Sequence, residues 1–345
     1  MAAPWSEFLA SRGARREGIE IHFGDPRGEI ALAAQGPVVV PLTHLAPIRA
    51  QGEESAPFLH NLFSNDVKTQ GEDRARWNSF NSPKGRMLAS FLVWREGGDF
   101  LLAPAADLQP AFLKKLSMYV LRAKVKLTDA GGERILLGVT GRGADKVLAA
   151  VGISQPPAAL AVGHADGTHL VGIADQTWLL SVPAESAPAL FDRLVDAGAA
   201  AAGTSAWQSA MVAAGLPLIT VPTQEEFVAQ MVNYELIGGV SFTKGCYPGQ
   251  EIVARTQYLG KLKKRMYRLH LADGTAAAPT PGQDLYAPDF PGQSVGKLVN
   301  VVPASQGGYE ALAVLQTSSA EGGDIHLGAP EGPRAALLPL PYSLG

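Results

Sequence analysis

The sequence contains one cysteine, Cys246, among 345 residues. A single thiol excludes a disulfide within the chain and any metal or iron-sulfur site built only from one chain's cysteines. The formal net charge of -3 is also small, so composition shows no overall preference for nucleic acid or a membrane surface. Any site for an anion would therefore have to be local.

Other common signals are missing too. No apolar run approaches the roughly 18 residues that span a bilayer, and the N-terminus lacks a basic segment followed by an apolar one. The histidines lack the spacing of metal ligands, and no phosphate loop or dinucleotide-binding glycine pattern occurs. We therefore expect a cytoplasmic protein without membrane contact, direct DNA binding or a metal site. A monomer is possible, but the sequence leaves the oligomeric state open.

Length and hydrophobic periodicity predict an α+β protein of two or three domains. The pattern predicts a hairpin around the turn Ser82–Gly85 and helices over about 53–63 and 106–120. A similar order of strands and helices recurs after residue 134, which favours two related lobes split near 130. From residue 259 onward, short alternating runs between Gly/Pro turns predict a C-terminal antiparallel β-barrel. We thus expect domains at 1–258 and 259–345.

The cysteine stands in the stretch Lys244-Gly245-Cys246-Tyr247-Pro248-Gly249-Gln250-Glu251. Pro248-Gly249 suits the centre of a type II turn, which would expose the thiol, and a short helix is expected from Gln250. Lys244 and the start of that helix would both favour the thiolate form of Cys246. The alternative is that Cys246 is a small buried hydrophobic residue in a tight loop.

The same stretch resembles the K-G-C-Y-x-G-Q-E signature of the YgfZ family, folate-binding relatives of the glycine-cleavage T-protein. The resemblance extends from the region of Leu45 to the terminal Pro339–Leu344. It implies two T-protein-type lobes around a folate-like pocket, with tetrahydrofolate as cofactor. It also implies an accessory role in the assembly or repair of iron-sulfur clusters, with client or assembly proteins as partners, among them enzymes that thiolate tRNA.

Within this resemblance, Cys246 is expected to act as a nucleophile, a transient ligand or a redox-sensitive thiol, assisted by Lys244. The remaining positions of the motif are expected to shape and hold the loop; they are Gly245, Tyr247, Gly249, Gln250, Glu251 and Arg255.

The cofactor site is expected to use Trp207, whose indole would stack on the pterin. The alternative is that Trp207 is an aromatic core residue on an amphipathic helix. Two further positions depart from the family pattern: Leu45 stands where a second tryptophan is expected, and Ala213 replaces a glutamate.

The T-protein relatives also carry an acid near the hairpin, where this sequence has Ala89 and Ser90. Neither side chain can act as a carboxylate base, so aminomethyl transfer is not expected. Whether the protein is an enzyme stays open at this point. Two alternatives remain: a tetrahydrofolate-dependent one-carbon transferase or demethylase acting on an unknown amine, and a non-catalytic folate-binding module.

A local group of basic residues follows the motif. It could hold a polyglutamate tail or an RNA backbone, or it could simply be a solvated face or protected strand edge. Its members are Arg255, Lys261, Lys263, Lys264, Arg265 and Arg268.

Overall fold

The computed structural model describes residues 3–258, 262–273 and 277–344. The α-helices in these ranges are α1 Ala3–Ser11, α2 Pro26–Gln35, α3 Ser55–Leu62, α4 Gln109–Val120, α5 Ala144–Ala150, α6 Ala187–Asp196, α7 Thr204–Ala213, α8 Gln250–Tyr258 and α9 Thr317–Gly322. Short 3-10 helices cover Val221–Thr223 and Ala229–Val232. No helix in these ranges is both long and apolar enough to cross a membrane.

The strands follow the same chain order. They are β1 Arg15–Glu17, β2 Glu20–His22, β3 Val38–Pro41, β4 Ile48–Gln51, β5 Arg76–Asn81, β6 Met87–Glu96, β7 Asp99–Pro104, β8 Lys126–Asp129, β9 Arg134–Thr140, β10 Val162–Ala165, β11 Thr168–Ala174, β12 Thr177–Pro183, β13 Ala200–Ala201, β14 Lys264–Leu271, β15 Asp284–Tyr286, β16 Ser294–Pro303, β17 Tyr309–Gln316, β18 Ile325–Leu327 and β19 Arg334–Leu338. The expected mixture of helices and strands is confirmed.

The chain divides into two compact units, each built from several segments. The first unit comprises Met1–Phe58, Val67–Arg76 and Phe91–Ala210. The second comprises Leu59–Asp66, Trp77–Ser90 and Met211–Gly345. The expected boundaries near residues 130 and 258 stay predictions.

A six-stranded sheet in the order β10-β11-β12-β9-β3-β13 forms the centre of the first unit. Its pairs are antiparallel except β13 with β3. Strands β9 and β12 are apolar along nearly their whole length, as expected for strands buried on both faces. Leu137 and Leu180 of these strands share a core with Leu148 of α5 and Phe191 of α6.

The first unit also contains an antiparallel arrangement of β6, from Phe91 onward, with β7, β4 and β8. Trp94 of β6 lies opposite Leu101 of β7, and Leu102 of β7 lies opposite Ile48 of β4. Helix α4 packs against β8, with Phe112 and Leu116 on its buried side.

In the second unit, the expected hairpin is confirmed. The amide of Gly85 donates to the carbonyl of Ser82 at 2.9 Å, and the amide of Ser82 donates to the carbonyl of Arg86 at 2.8 Å. Gly85 has φ +72°, a conformation that favours glycine. The turn is therefore tight and presents its backbone to its neighbours.

The second unit also contains the expected C-terminal barrel. Strands β14-β17-β16-β15-β18-β19 form a closed barrel with antiparallel pairing throughout. Leu269, Leu298 and Leu315 lie in its core. The barrel prediction is thus confirmed.

Some elements differ from the sequence expectation. The sequence pattern also predicts a short helix over residues 5–16, but α1 ends at Ser11, because Gly13 adopts φ +89° and the chain turns there. Helix α2 was not expected; its sequence includes Gly28 and shows only weak periodicity.

Glu29 of α2 is the polar centre of the first unit's N-terminal region. It is 6% exposed, and its carboxylate accepts hydrogen bonds from the amides of Phe23 at 2.7 Å and Gly203 at 2.6 Å. A Cβ on Gly203 would stand 2.1 Å from the carbonyl oxygen of Ile21, so this backbone approach requires glycine. The carboxylate thus joins α2 to the segment before α7.

We expect Glu29→Gln to lower the free energy of unfolding by roughly 1–3 kcal/mol, because the amide's NH2 group would face a backbone N–H donor. Urea denaturation measures this, with exposed Glu7→Gln in α1 as the matched control. Equal unfolding midpoints for the two variants would contradict the assigned role of Glu29.

Candidate functional site

In the second unit, segment 59–66 is hydrogen-bonded to the stretch of chain that precedes the cysteine motif. The amide of Ser241 donates to the carbonyl of Ser64 at 2.9 Å, and the Ser64 hydroxyl donates to the carbonyl of Gly239 at 2.7 Å. Asn65 Nδ2 donates to the carbonyl of Gly238 at 2.6 Å. These bonds fix the path of the backbone immediately before the motif.

Lys244 forms the first anchor of the motif itself. Its side chain is buried, and its Nζ donates to the carbonyls of His60 and Phe63, the latter at 2.5 Å. These carbonyls lie at the C-terminal end of α3, where helices leave acceptors unsatisfied and favour a cation. Burial lowers the pKa of Lys244 to about 8, against the opposing attraction of Asp66 and Cys246.

Tyr247 forms the second anchor. It is 6% exposed, and burial raises the pKa of its phenol above the ordinary value. The Lys244 ammonium lies 4.9 Å from the centre of the Tyr247 ring, within the range of a cation–π contact. The residues on either side of Gly245-Cys246 thus pack against each other.

Gly249 forms the third anchor, and the predicted turn is confirmed. The amide of Gln250 donates to the carbonyl of Tyr247 at 3.1 Å, and Gly249 has φ +78°, as a type II turn requires. A Cβ on Gly249 would stand 2.6 Å from both Gly85 Cα and the carbonyl oxygen of Ser82. The motif therefore meets the hairpin turn backbone to backbone, where only glycine fits.

Between these anchors, Gly245 and Cys246 are exposed. The predicted exposure of the thiol is confirmed, and the alternative of a buried cysteine is wrong. Gly245 lies outside the left-handed region, unlike Gly249. The reactivity of Cys246, and the effect of Lys244 on it, stay predictions.

A histidine and an aspartate lie beside the loop. His60 Nδ1 is 3.0 Å from Asp66 Oδ1, and a Cβ on Gly245 would stand 3.9 Å from His60 Nε2. Both side chains are largely buried, at 15% and 23% exposed. The pair thus places titratable groups next to the backbone that carries the thiol.

Helix α8 begins at Gln250, as predicted. Val253 is buried, and its carbonyl accepts a hydrogen bond from Gln230 Nε2 at 2.6 Å. Glu251 and Arg255 are exposed, and Gln250 is partly buried. Their expected role in holding the loop stays a prediction.

Trp207 lies on α7 in the first unit and is 3% exposed. A Cβ on Gly138 would stand 2.3 Å from Trp207 Cε3, and Leu42 lies against the same site. The indole thus packs on β9 where glycine leaves room for it. This is the core packing that the alternative interpretation describes, and the stacking role stays a prediction.

The other positions tied to the cofactor expectation carry no pterin-binding group. Leu45 is half-buried on the wall of a cavity of about 230 Å³ that Trp5 and Gln109 also line. Ala213 is exposed, with no acceptor to offer. Neither Leu45 nor Ala213 offers a pterin a stacking face or a hydrogen-bond acceptor.

Ala89 and Ser90 are buried, at 0% and 1% exposed. The Ser90 hydroxyl accepts a hydrogen bond from the amide of Ile219 at 2.8 Å. The Ser90 side chain therefore helps to hold the backbone at Ile219.

The basic group after the motif is partly neutralised. Arg265 pairs with Glu235, and Arg268 pairs with Glu310 at 2.6 Å. Lys264 lines a cavity of about 380 Å³, and Lys261 lies outside the described residues. In the ranges that the structure describes, no group of three His, Cys, Asp or Glu residues could hold a metal ion.

Sequence reasoning missed the partners of the motif, which are His60, Phe63, Ser64, Asn65 and Asp66. Segment 59–66 carries a helical pattern and no chemical signature. Its bonds to the motif join residues up to 184 positions apart, which a single sequence does not reveal. Only the hairpin turn was identified in advance, without its contact to Gly249.

Comparison with known proteins supports the resemblance on three levels. The GCVT N-terminal domain family matches residues 27–237. "tRNA-modifying protein YgfZ" of Klebsiella pneumoniae (strain 342) is 30% identical over 299 residues, covering 85% of this chain and 89% of that protein. The protein of the same name from Enterobacter sp. (strain 638) is 28% identical, covering 92% of this chain and 97% of that one.

The glycine cleavage system aminomethyltransferase T from Bartonella henselae has a similar structure, with a TM-score of 0.77 and 15% identity. The match covers 99% of this chain and 97% of that chain, which shows a shared fold. Together with the motif, these matches show that this chain belongs to the YgfZ family, within the wider group that carries the GCVT N-terminal domain.

Proposed function

We propose that the protein acts in tRNA modification as an accessory factor in the assembly or repair of iron-sulfur clusters. In this role it supports cluster enzymes, such as those that thiolate tRNA, through Cys246. The names of the relatives support the link to tRNA modification. The observation that carries the role of Cys246 is its exposure on a backbone held on both sides.

Such an arrangement suits a thiol that meets a partner rather than a small buried substrate. Lys244 and Tyr247 are buried and fix the loop on both sides of Cys246. Cys246 itself is exposed to solvent. Preorganisation of this kind lowers the entropic cost of bringing a reactive group to its target. One thiol cannot hold a cluster by itself, so the cluster is cargo on a client or assembly protein.

A one-carbon transferase acting on an amine is the weaker candidate. Its base would have to come from the hairpin region, where Ala89 and Ser90 are buried and carry no carboxylate. A non-catalytic binding module is the other alternative. The anchoring contacts of Lys244 and Gly249 fit a motif with a purely structural role. A purely structural motif, however, would not need an exposed Cys246.

Tetrahydrofolate is proposed as a ligand on the family resemblance alone. For the indole of Trp207 to stack on a pterin, its packing against Gly138 would have to open. Folate binding at this position therefore implies a local rearrangement of the first unit.

We expect Cys246→Ala to abolish the rescue of cluster-dependent tRNA thiolation in cells that lack the native gene, because the variant removes the only thiol. Mass spectrometry of tRNA nucleosides measures the product. Thr243→Ala, at a neighbouring exposed position, is the control and should rescue fully. Full rescue by Cys246→Ala would reject the thiol mechanism.

We expect the stability difference between wild type and Lys244→Met to be constant below about pH 7 and to grow in favour of wild type from about pH 8 to 10.5. The folded-state pKa of Lys244, about 8, lies below the ordinary 10.5, so the unfolded chain binds more protons in this window. Stability from this group therefore rises with pH.

Chemical denaturation of the two proteins across this pH range measures the difference. The exposed residue Lys146 of α5 provides the control, since Lys146→Met should run parallel to wild type. Parallel curves for Lys244→Met as well would show that the Lys244 amine is not held in a desolvated site.

We expect tetrahydrofolate to quench tryptophan fluorescence in wild type and to quench it much less in Trp207→Phe, if the pterin meets that indole. Titration under reducing conditions measures both proteins, with Trp5→Phe as the control for loss of a buried tryptophan. Absence of quenching in wild type would reject the cofactor proposal and leave the Cys246 proposal standing.

A further inference from the structure

A stretch of the first unit around the end of α4 is strongly basic. From Leu108 to Thr128 the sequence has no Asp or Glu, while it has Lys114, Lys115, Arg122, Lys124 and Lys126. The whole chain carries 29 basic and 32 acidic side chains, so this local excess is not a property of the composition. It concentrates positive charge on one short segment.

The same segment exposes apolar side chains. Met118 is 71% exposed, Tyr119 45% and Leu121 90%. Lys114 and Met118 are four residues apart on the helix, as are Lys115 and Tyr119, so each pair lies on one surface. We call the group formed by Lys114, Lys115, Met118, Tyr119, Leu121 and Arg122 the α4 patch.

Leu121 also has an unusual backbone. It follows the last residue of α4 with φ +45° and ψ -103°, a conformation that residues with a Cβ rarely adopt. At 90% exposure, its side chain gains almost nothing from packing that could offset the strain. Strain that the fold does not use is typical of a functional position.

The charges of the α4 patch are not neutralised within the part of the chain that the structure describes. No hydrogen bond or ion pair there holds the side chains of Lys114, Lys115 or Arg122. Nearby Lys124 does pair, with Glu53 at 3.0 Å. The patch therefore keeps three exposed cations that can attract an anionic partner.

We propose that the α4 patch binds RNA, with its cations on phosphates and its exposed aromatic and aliphatic side chains against unpaired bases. Cations interleaved with an aromatic side chain are typical of surfaces that hold single-stranded RNA segments. The choice of tRNA as the RNA rests on the proposed function.

Two other partners fit the patch less well. A membrane-surface helix inserts its whole apolar face, but Phe112 and Leu116 of α4 are buried within the protein. A protein interface disfavours uncompensated lysines, which are depleted at such interfaces. An RNA backbone neutralises them by releasing its counterions.

The test is titration of fluorescein-labelled, unfractionated tRNA with the full-length protein between 50 and 200 mM salt. The triple variant Lys114→Gln, Lys115→Gln, Arg122→Gln is expected to bind about tenfold or more weaker at low salt, with a salt slope smaller by about 2–3. The control triple variant Arg15→Gln, Arg142→Gln, Lys146→Gln removes equal charge at other exposed positions and should bind nearly as wild type.

A second variant separates binding from folding. Leu121→Gly suits the positive φ, so it is expected to match or exceed the wild-type melting temperature while binding tRNA more weakly. A duplex RNA of equal length should compete less well than tRNA, because its bases are paired. Equal tRNA affinity in wild type and the α4-patch triple variant would overturn the proposal.

Two outcomes would assign the patch to another partner and also overturn the proposal. One is patch-dependent binding to anionic phospholipid vesicles without tRNA binding; the other is patch-dependent binding to polyglutamate alone. Cys246→Ala should bind tRNA as wild type does. Loss of tRNA binding and loss of thiol-dependent rescue are thus separate results.

Discussion

The contact on which the rest of the site depends is the one between the Lys244 ammonium and the carbonyls that end α3. A helix end leaves carbonyl groups without partners, and here a side chain from far along the sequence supplies the donor. Burial lowers the pKa of that amine to about 8, yet the charge is retained at neutral pH. This ammonium group therefore fixes the loop that carries Cys246.

Because the loop is fixed in this way, residues next to one another in it can differ sharply in burial. Tyr247 is 6% exposed and Gly249 touches the hairpin turn, while Gly245 and Cys246 between them face solvent. A thiol on an untied loop would sample many positions, and ordering it on contact with a partner would cost conformational entropy. Here the flanking residues provide that order in advance.

Local signals in the sequence predicted most of what is local in the structure. The hairpin turn, the barrel strands and the start of α8 follow from turn residues, alternation and helix-start residues that lie close together in the chain. The contacts of the motif with segment 59–66 could not be predicted in this way, because they join residues far apart in the chain. Ser64 and Gly239, for example, are 175 positions apart. The packing of Trp207 could not be predicted either. The helical spacing around it does not reveal that its ring packs on Gly138, which lies on a distant strand.

This chain and the aminomethyltransferase from Bartonella henselae share a fold but few identical residues. The backbone is retained at a TM-score of 0.77, while only 15% of residues are identical. At the hairpin, the Ser90 hydroxyl accepts a hydrogen bond from the amide of Ile219, so this side chain stabilises the backbone. Because a shared fold does not fix the chemistry, what this chain does depends on its own exposed residues, and Cys246 is one of them.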